Sequence, residues 1–414
     1  MPTAEAATSL DRRIEEAAAR VEQNVIAIRR DIHQHPELGN REFRTAKIIA
    51  AKLKELGIET KSGVAHTGVV GILRGGKPGR VVALRADMDA LPVTEQVDVP
   101  FASKVRTTYN DQEVGVMHAC GHDAHVAILL GVAEVLAGMR ADLAGTVKFL
   151  FQPAEEGAPK GEEGGAALMV KEGALDNPRP DAVFGLHVTS RFPTGTIAYK
   201  PGSMMAAVDT LTIEVRGKQT HGAYPWLGVD PIVVASQIVL GLQTIPSRQV
   251  DVSLAPSIVT IGMIRGGVRN NIIPDSVEMT GTIRSLDKAM RTDIHRRIRR
   301  TAESIAASAG ATATVNIETG YPIVHNDPAI TERAAAVLAR LAEETVVANA
   351  VLGAEDFSFF QEEVPGLFYF LGTRPKNQTA EEAPSNHSPL FYVDESGLLL
   401  GVKSMATLAV EFLE

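Results

Sequence analysis

The sequence predicts an α/β fold of two domains, in which a smaller α+β domain is inserted into a larger α/β domain. The chain has 414 residues, more than the roughly 250–300 that a single hydrophobic core usually supports. Short apolar runs typical of buried strands alternate with segments of helical periodicity towards both ends of the chain. Between them the order changes to strand, helix, strand, strand, helix, strand, which is typical of a ferredoxin-like domain.

The first part of the chain carries the α/β pattern. Residues 11–30 and 41–56 have helical spacing of apolar residues, with a break at Pro36 and Gly39. Buried strands are predicted at Val69–Leu73, Val81–Ala86, Val147–Phe151 and Ala182–Leu186, and further helices at Ala124–Ala137 and Gly164–Glu172. Open α/β sheets bind ligands outside the carboxyl ends of their strands, so polar residues that follow these runs are candidates for a functional site.

The inserted domain begins near Asp209. Its strands are predicted at Thr210–Arg216, Ser257–Ile264, Ser276–Ile283 and Thr312–Glu318, and its helices at Pro231–Gln243 and Lys288–Ser308. The α/β pattern returns after Tyr321. We therefore assign residues 206–317 to the inserted domain, and residues 1–205 and 318–414 to the larger, discontinuous domain.

Composition and charge narrow the class of protein. Hydrophobic residues make up 45% and charged residues 22%, which excludes a disordered, collagenous or coiled-coil chain. A net charge of -9 argues against nucleic acid or an anionic membrane as a partner, and a single cysteine excludes an intramolecular disulfide. The N-terminus is charged and has no apolar signal core, so we expect a cytoplasmic protein. An exported chain that has lost its signal peptide would begin in the same way.

The strongest chemical signal is the segment MHACGHDAH, which places Cys120 two residues before His122. Thiolate and imidazole are ligands that zinc prefers. Asp123 is expected to cap a helix that begins at Ala124. The alternative for an isolated cysteine is a small buried apolar residue, but the neighbouring imidazoles favour a metal site.

Further candidate ligands follow other strands. Glu155 and Glu156 come directly after an apolar strand, His187 ends another, and His387 lies in a polar loop. Taken singly, the two glutamates are typical of a solvated acidic turn. His187 alone is typical of a core histidine, and His387 alone of a surface histidine. Together they complete a set of soft or borderline ligands that exceeds the three of one catalytic zinc and fits two ions sharing a hydroxide: Cys120, His122, Glu156, His187 and His387. Asp87 and Asp89 follow a strand at the same edge, where carboxylates orient ligating imidazoles.

A family resemblance rests on motifs that run in order from about Arg29 to the C-terminus. These motifs are RRDIHQHPELG, RADMDALP, MHACGHDAH, FQPAEEG, GLHV, THGAYP, VDPI, NIIPD, GTIR, AEDFSFF and NHSP. In combination they resemble the dinuclear metallo-amidohydrolases that include hippurate hydrolase, N-acyl-amino-acid hydrolases, carboxypeptidases and plant auxin-conjugate hydrolases. The resemblance implies a zinc-peptidase-like catalytic domain with an inserted ferredoxin-like lid that closes over the site and forms a homodimer.

The resemblance also implies roles for individual residues. It implies the five metal ligands named above, with Cys120 where other branches have a bridging aspartate, and Glu155 as the general base. Further roles are substrate carbonyl contact for His221, proximity to the substrate carboxylate for Asn271 and Arg284, and support of the centre by Glu355 and Asp356. Simpler alternatives are a turn residue for His221, a surface cation for Arg284, and caps of a helix near Phe357 for the two acids. Trp226 stands where many relatives have histidine, which suggests a more apolar pocket wall.

We therefore expect a metal-dependent hydrolase that cleaves the amide bond of N-acyl amino acids or short peptides through a metal-bridging hydroxide. The cofactors are two divalent ions per subunit, with zinc favoured by Cys120 and manganese, cobalt or nickel also compatible. The subunits are expected to form a homodimer or a larger assembly. One alternative is a metal-independent amidase with Cys120 as nucleophile and His122 or His125 as base. Another is a non-catalytic, metal-stabilised binding protein.

Overall fold

The computed structural model describes residues 9–414, which form two compact units. The first unit runs to Gly202 and takes in His325–Asn349 and Phe359–Glu414, and the second comprises Ser203–Val324 and Ala350–Ser358. Residues 206–317 of the predicted insertion lie inside the second unit. Ala350–Ser358 also packs with the second unit, although the predicted division gives this segment to the larger domain.

Helices and strands alternate along the described chain. The helices are α1 (Ser9–Gln34), α2 (Phe43–Glu55), α3 (His122–Gly138), α4 (Gly165–Lys171), α5 (Pro231–Thr244), α6 (Lys288–Ser308), α7 (Pro328–Leu341), α8 (Ser358–Glu363) and α9 (Leu398–Leu413). The strands are β1 (Glu59–Val64), β2 (Gly68–Arg74), β3 (Lys77–Asp87), β4 (Arg106–Tyr109), β5 (Gln112–Gly115), β6 (Ala144–Gln152), β7 (Ala182–Pro193), β8 (Thr196–Tyr199), β9 (Gly202–Met205), β10 (Ala207–Arg216), β11 (Thr220–His221), β12 (Ser257–Gly266), β13 (Ile272–Ile273), β14 (Ser276–Ser285), β15 (Thr312–Thr319), β16 (Val324–Asn326), β17 (Glu344–Val347) and β18 (Gly366–Arg374).

The first unit is built on an eight-stranded mixed sheet in the order β1-β2-β6-β3-β7-β18-β8-β17. Its four central strands, β6, β3, β7 and β18, run parallel, and β2 and β8 flank them in the antiparallel direction. Strands β6 and β18 are almost entirely buried, and most of their residues are apolar or glycine. Parallel strands share one carboxyl edge, where Asp87 at the end of β3 pairs with Gln152 at the end of β6.

The second unit contains a four-stranded antiparallel sheet in the order β12-β14-β10-β15. Helices α5 and α6 pack against this sheet, and Ile238 and Ile294 are among their fully buried residues. Asp230 begins α5 by accepting a hydrogen bond from the backbone N–H of Ile232, and Asp287 begins α6 in the same way. This arrangement confirms the predicted α/β class with a ferredoxin-like second unit.

The start of α3 differs from the prediction. The helix begins at His122 and not at Ala124, with Gly121 as the capping residue. Asp123 does not cap the helix, because its buried carboxylate pairs with Arg29 and His33, at 2.7 and 2.8 Å. His187 also differs from its predicted place, since β7 continues beyond it to Pro193.

Helix α9 packs against α1, α3 and α7 in the first unit. The stretch Glu395–Leu413 is long and apolar enough to cross a membrane, but 67% of its apolar window is buried inside the protein. The core helix of a globular protein passes the same test, so this stretch is weak support for a membrane span.

Candidate metal centre

A tight turn brings Cys120 and His122 to the carboxyl edge of the sheet. Gly121 between them has a φ of +93°, and a Cβ atom there would lie 2.3 Å from Val188 Cγ2. Only glycine tolerates both the backbone conformation and this close approach. The turn therefore lies directly against β7, which carries His187.

Cys120 is the centre of one group of donor atoms. Its Sγ atom lies 3.3 Å from His187 Nε2 and 3.3 Å from His387 Nε2. His387 Nε2 in turn lies 3.0 Å from Glu156 Oε1. Cys120 is buried, whereas the side chain of His387 is 55% exposed, so this group is open to solvent on one side.

His122 and Glu155 form a second group beside the first. His122 Nε2 lies 3.9 Å from Glu155 Oε2 and 3.7 Å from Asp87 Oδ2. His122 is fully buried, and its Nε2 atom has no hydrogen-bond partner among the residues that the structure describes. A buried imidazole nitrogen left in this state is costly unless a ligand completes it.

Asp89 orients this second group. Its Oδ1 atom accepts hydrogen bonds from His122 Nδ1 at 3.2 Å and from the backbone N–H of Glu155 at 3.1 Å. Its Oδ2 atom accepts from the backbone N–H of Glu156 at 3.0 Å. One carboxylate thus fixes the tautomer of His122, so that Nε2 faces the centre, and also holds the backbone that carries both glutamates.

Asp87 lies beside His122 and accepts hydrogen bonds from two neighbouring side chains. Arg85 Nη1 donates to Asp87 Oδ2 at 2.6 Å, and His125 Nδ1 donates to Asp87 Oδ1 at 2.5 Å. His125 Nε2 accepts the backbone N–H of Val188 at 2.8 Å, so both ring nitrogens of His125 are used in the fold. This arrangement favours the structural role for His125 over the catalytic one.

The loop that carries His387 is tied to the other two ligand segments. His387 has a φ of +72°, an uncommon left-handed conformation for a residue with a side chain. Its backbone N–H donates to Ala119 O at 2.7 Å, and Asn386 Nδ2 donates to the carbonyl oxygens of Cys120 and Val188, both at 3.1 Å. Backbone strain of this kind persists where surrounding contacts enforce it, often at functional sites.

The charges of the centre act strongly on one another. Burial and the charge of Glu156 raise the pKa of the Cys120 thiol well above its ordinary value. Burial opposes a charge on His122, but the carboxylates of Asp87 and Asp89 outweigh it and raise the pKa of His122 to about 10. Burial lowers the pKa of His187, whose Nδ1 donates to Val188 O at 2.7 Å and leaves Nε2 facing Cys120.

The donor set fits divalent metal ions. Donor atoms lie within 4.8 Å of one another in three groups at this edge: Cys120 with His122 and His187, Cys120 with Glu156 and His387, and His122 with Glu155 and Glu156. The groups share members, as adjacent ion sites do. A bound dication would oppose the raised pKa values of Cys120 and His122, because it favours the thiolate and the neutral imidazole.

A cavity of about 630 Å³ opens beside this centre within the first unit. Asp89 and Glu156 line the side of the cavity next to the donor groups. Its apolar wall includes Leu38, Leu91, Pro92, Val105 and Val116. The volume lies within the range of small-molecule sites, roughly 300–1,000 Å³.

The remaining predicted residues lie in the second unit. Exposed His221 lies on β11, where it pairs with Ile272 of β13, and Gly222 N–H donates to Asn271 O at 2.8 Å. These contacts place His221 and Asn271 on neighbouring segments. Arg284 lies on β14, where partial burial lowers its pKa. Glu355 is buried and accepts the backbone N–H of Phe357 at 2.9 Å, as the capping alternative expects. The side chain of Trp226 is 74% exposed.

Sequence reasoning missed two groups of buried residues near the centre. Glu42 accepts a hydrogen bond from the backbone N–H of Ala154, directly before the glutamate pair. His33 is buried at the end of α1 and lies 2.8 Å from Asp123 and 3.0 Å from Glu95. An acid or histidine inside a helical pattern gives no local signal of such contacts.

The sheet topology and the grouped donor atoms at its carboxyl edge are those of a metal-dependent hydrolase. The chain belongs to the family described as Peptidase family M20/M25/M40, whose model matches residues 83–411. This match confirms the predicted family, and with it an enzyme that hydrolyses amide bonds.

Three similar proteins illustrate the family. Thermostable carboxypeptidase 2 of Saccharolobus solfataricus is 44% identical over 394 residues, covering 95% of this chain and 96% of the relative. N-acetylcysteine deacetylase of Bacillus subtilis is 42% identical over 391 residues, covering 94% and 97%. A solved dinuclear metal-binding peptidase of the M20 family from Bacillus subtilis matches 95% of this chain and 99% of its own, with a TM-score of 0.81 and 39% identity.

Proposed function

We propose that this protein hydrolyses the amide bond of N-acyl amino acids, with short peptides as further substrates. The observation that carries the proposal is the position of Glu155, whose Oε2 lies 3.9 Å from the unpartnered Nε2 of His122 at the edge of the donor groups. The names of the relatives support the substrate class, since one is a carboxypeptidase and another a deacetylase of an N-acetylated amino acid.

Two divalent ions, when bound, would supply Lewis acidity that polarises the amide carbonyl and lowers the pKa of a water molecule. Glu155 accepts a proton from the attacking water and returns it to the leaving nitrogen, which departs as an amine. Asp89 holds the backbone N–H of Glu155 and thus positions the general base. His221 stabilises the negative charge that develops on the carbonyl oxygen, and Asn271 and Arg284 bind the substrate carboxylate.

The metal ligands in this proposal are Cys120, His122, Glu156, His187 and His387. Zinc is the favoured metal because thiolate and imidazole predominate in the set. Asp87 and Glu355 support the centre without ligating. The support for this assignment is the grouping of donor atoms and the orientation of the imidazoles by Asp89 and by the Val188 carbonyl.

The cavity beside Glu156 is proposed to bind the acyl group, because apolar side chains, including Leu91 and Val116, form part of its wall. Filling it tests this assignment. Val105→Trp should lower kcat/KM for N-benzoyl amino acids more than for N-acetyl amino acids, because only the larger acyl group needs the volume. Val347→Trp, at an exposed position of the first unit, serves as the control. Equal losses on both substrates would remove the cavity from this role.

A homodimer through the second unit is also proposed. Exposed apolar side chains cluster in this unit, including Trp226, Val233, Leu240, Ile264 and Val268. Its edge strand β12 pairs on one side with β14 and presents backbone groups on the other, as strands that join across subunits do. Sedimentation should show a dimer that Leu240→Glu and Ile264→Glu weaken and Val347→Glu does not. A monomeric wild type would contradict this proposal.

The test of the main proposal is hydrolysis of N-benzoyl and N-acetyl amino acids before chelation, after chelation, and after addition of zinc or manganese. Activity that a chelator removes and metal restores is the expected result. Activity that resists chelation but falls on thiol alkylation would favour the Cys120 amidase. Two imidazoles lie 3.3 Å from Cys120 Sγ, within reach to accept its proton in that alternative. No turnover on any acylated amino acid would favour a binding protein.

A further inference from the structure

A short segment between α1 and α2 packs against the turn that carries the glutamate pair. A Cβ atom on Gly39 would lie 3.0 Å from Gly157 O and 3.1 Å from Ala154 Cβ, so the two backbones approach as closely as glycine permits. Next to it, Asn40 Nδ2 donates to Glu163 O at 3.0 Å. The segment therefore supports the loop that follows β6 at several points.

Glu42 makes the most direct of these contacts. Its Oε1 atom accepts the backbone N–H of Ala154 at 2.9 Å, and its Oε2 atom accepts the hydroxyl of Thr67 at 2.5 Å. The side chain is fully buried, so both hydrogen bonds are shielded from water. Burial and the charge of Asp89 raise the pKa of Glu42 to about 8.

The backbone held by Glu42 is unusual. Ala154 has a φ of +50°, the left-handed region that residues with a Cβ atom rarely adopt. The next two backbone N–H groups, those of Glu155 and Glu156, point to Asp89 at 3.1 and 3.0 Å. Three successive N–H groups are thus held by two buried carboxyl groups from different parts of the chain, and only Asp89 belongs to a motif with an assigned role.

We propose that Glu42 is a positioning residue that holds Ala154 in its left-handed conformation and thereby fixes where Glu155 and Glu156 point. It does not reach the reacting atoms. Its contribution to the rate rests on the proposed function of Glu155, but its contribution to the order of the turn does not. This contact connects Glu42, to which the sequence assigns no chemical role, to the backbone before the glutamate pair.

The test compares Glu42→Ala and Glu42→Gln in the full chain as purified. Glu42→Ala should lower kcat about 10–100-fold, the usual cost of losing an outer hydrogen-bond partner of a metal centre. Glu42→Gln should recover most of this loss, because its amide oxygen accepts the Ala154 N–H and its amide nitrogen donates to Thr67 Oγ1. Amide hydrogen exchange of residues 154–157 should become faster in the alanine variant and stay slow in the glutamine variant.

Ser404→Ala is the matched control, because Ser404 is fully buried and donates or accepts a hydrogen bond at 2.8 Å with Tyr369 in the same unit. It should lower thermal stability without changing exchange in the turn. Unchanged exchange at residues 154–157 in Glu42→Ala would overturn the proposal, and so would a glutamine variant whose kcat is as low as that of the alanine variant. If the wild type hydrolyses no amide, the proposed function fails while the exchange experiment still decides the role of Glu42.

Discussion

Glu156 Oε1 lies 3.0 Å from His387 Nε2, although the two residues belong to distant parts of the chain. The hydrogen bond with Glu156 raises the pKa of His387. The pairing keeps an exposed imidazole directed at Cys120 and the donor groups around it. The pair therefore joins the loop after β6 to the loop that carries His387.

Variants of the two adjacent glutamates test whether Glu155 acts as the general base and Glu156 as a metal ligand. Glu155→Gln should retain metal and lose at least about 10²-fold in kcat, because general acid–base catalysis typically contributes 10²–10⁴-fold. Glu156→Gln should lose metal as well as activity. Metal content and steady-state rates measured on both variants separate the two roles. Full activity in Glu155→Gln would remove that residue from catalysis.

Cys120 distinguishes the metal mechanism from the thiol mechanism. Cys120→Asp should keep bound metal and part of the activity, since a carboxylate also ligates divalent ions. Cys120→Ala should lose metal and activity together. The measurement is metal stoichiometry and kcat for both variants. A nucleophilic cysteine predicts that both variants are equally inactive while metal binding, if any, is unchanged.

Asp89 should affect catalysis by orienting His122 and the backbone of the glutamate pair. Asp89→Asn places an amide nitrogen where a carboxylate oxygen accepts a backbone N–H of the glutamate pair, so at least one of its three hydrogen bonds is lost. We expect a loss of about 10–100-fold in activity or metal affinity. Asp98→Asn, at an exposed site nearby in sequence, is the control. Equal behaviour of the two variants would show that Asp89 has no orienting role.

Asp209 makes the stability of the second unit depend on pH. It is buried, but hydrogen bonds from His295 and Arg291 hold its pKa at about 2, below the value near 3.9 expected in an unfolded chain. A lowered pKa stabilises the fold above pH ~4, and this contribution is lost as the pH falls towards 2. Asp209→Asn should therefore cost about 2 kcal/mol at pH 7, and the difference from wild type should shrink in acid.

Urea unfolding of both proteins at pH 7 and at pH 3 measures this difference. Glu278→Gln on the same sheet is exposed and should change stability by less than about 0.5 kcal/mol. A loss in Asp209→Asn that is independent of pH would mean that packing, and not charge, sets the contribution of Asp209.

The sequence predicted which side chains meet at the sheet edge, because parallel strands end together and polar residues follow them. Strands β3, β6 and β7 were identifiable as continuous apolar runs. Asp87 ends β3 and Glu156 follows β6, whereas Cys120 and His122 were identified from the segment MHACGHDAH. The cap at Asp123 was wrong because a distant partner, Arg29, takes its carboxylate. Local pattern carries no information about such a partner.

The contact that supports the glutamate pair could not be predicted for the same reason. Ala154 gives no sign in sequence that its backbone adopts a left-handed conformation. Its partner Glu42 lies 112 positions earlier, within a segment whose spacing indicates only a helix. The strand β18 was a different omission, since the apolar run Gly366–Arg374 was present and only its place beside β7 needed the structure.

The contacts of His387 with Ala119 and of Asn386 with Cys120 have a consequence for the order in which the centre is completed during synthesis. His387 leaves the ribosome 267 residues after Cys120, so a nascent chain or a fragment that stops short of it lacks one donor and the loop that holds the others. Such a chain retains at most a partial donor set. If the proposed ligand set is right, full metal loading requires that translation has passed this loop, and metal content would then measure folding of the C-terminal part.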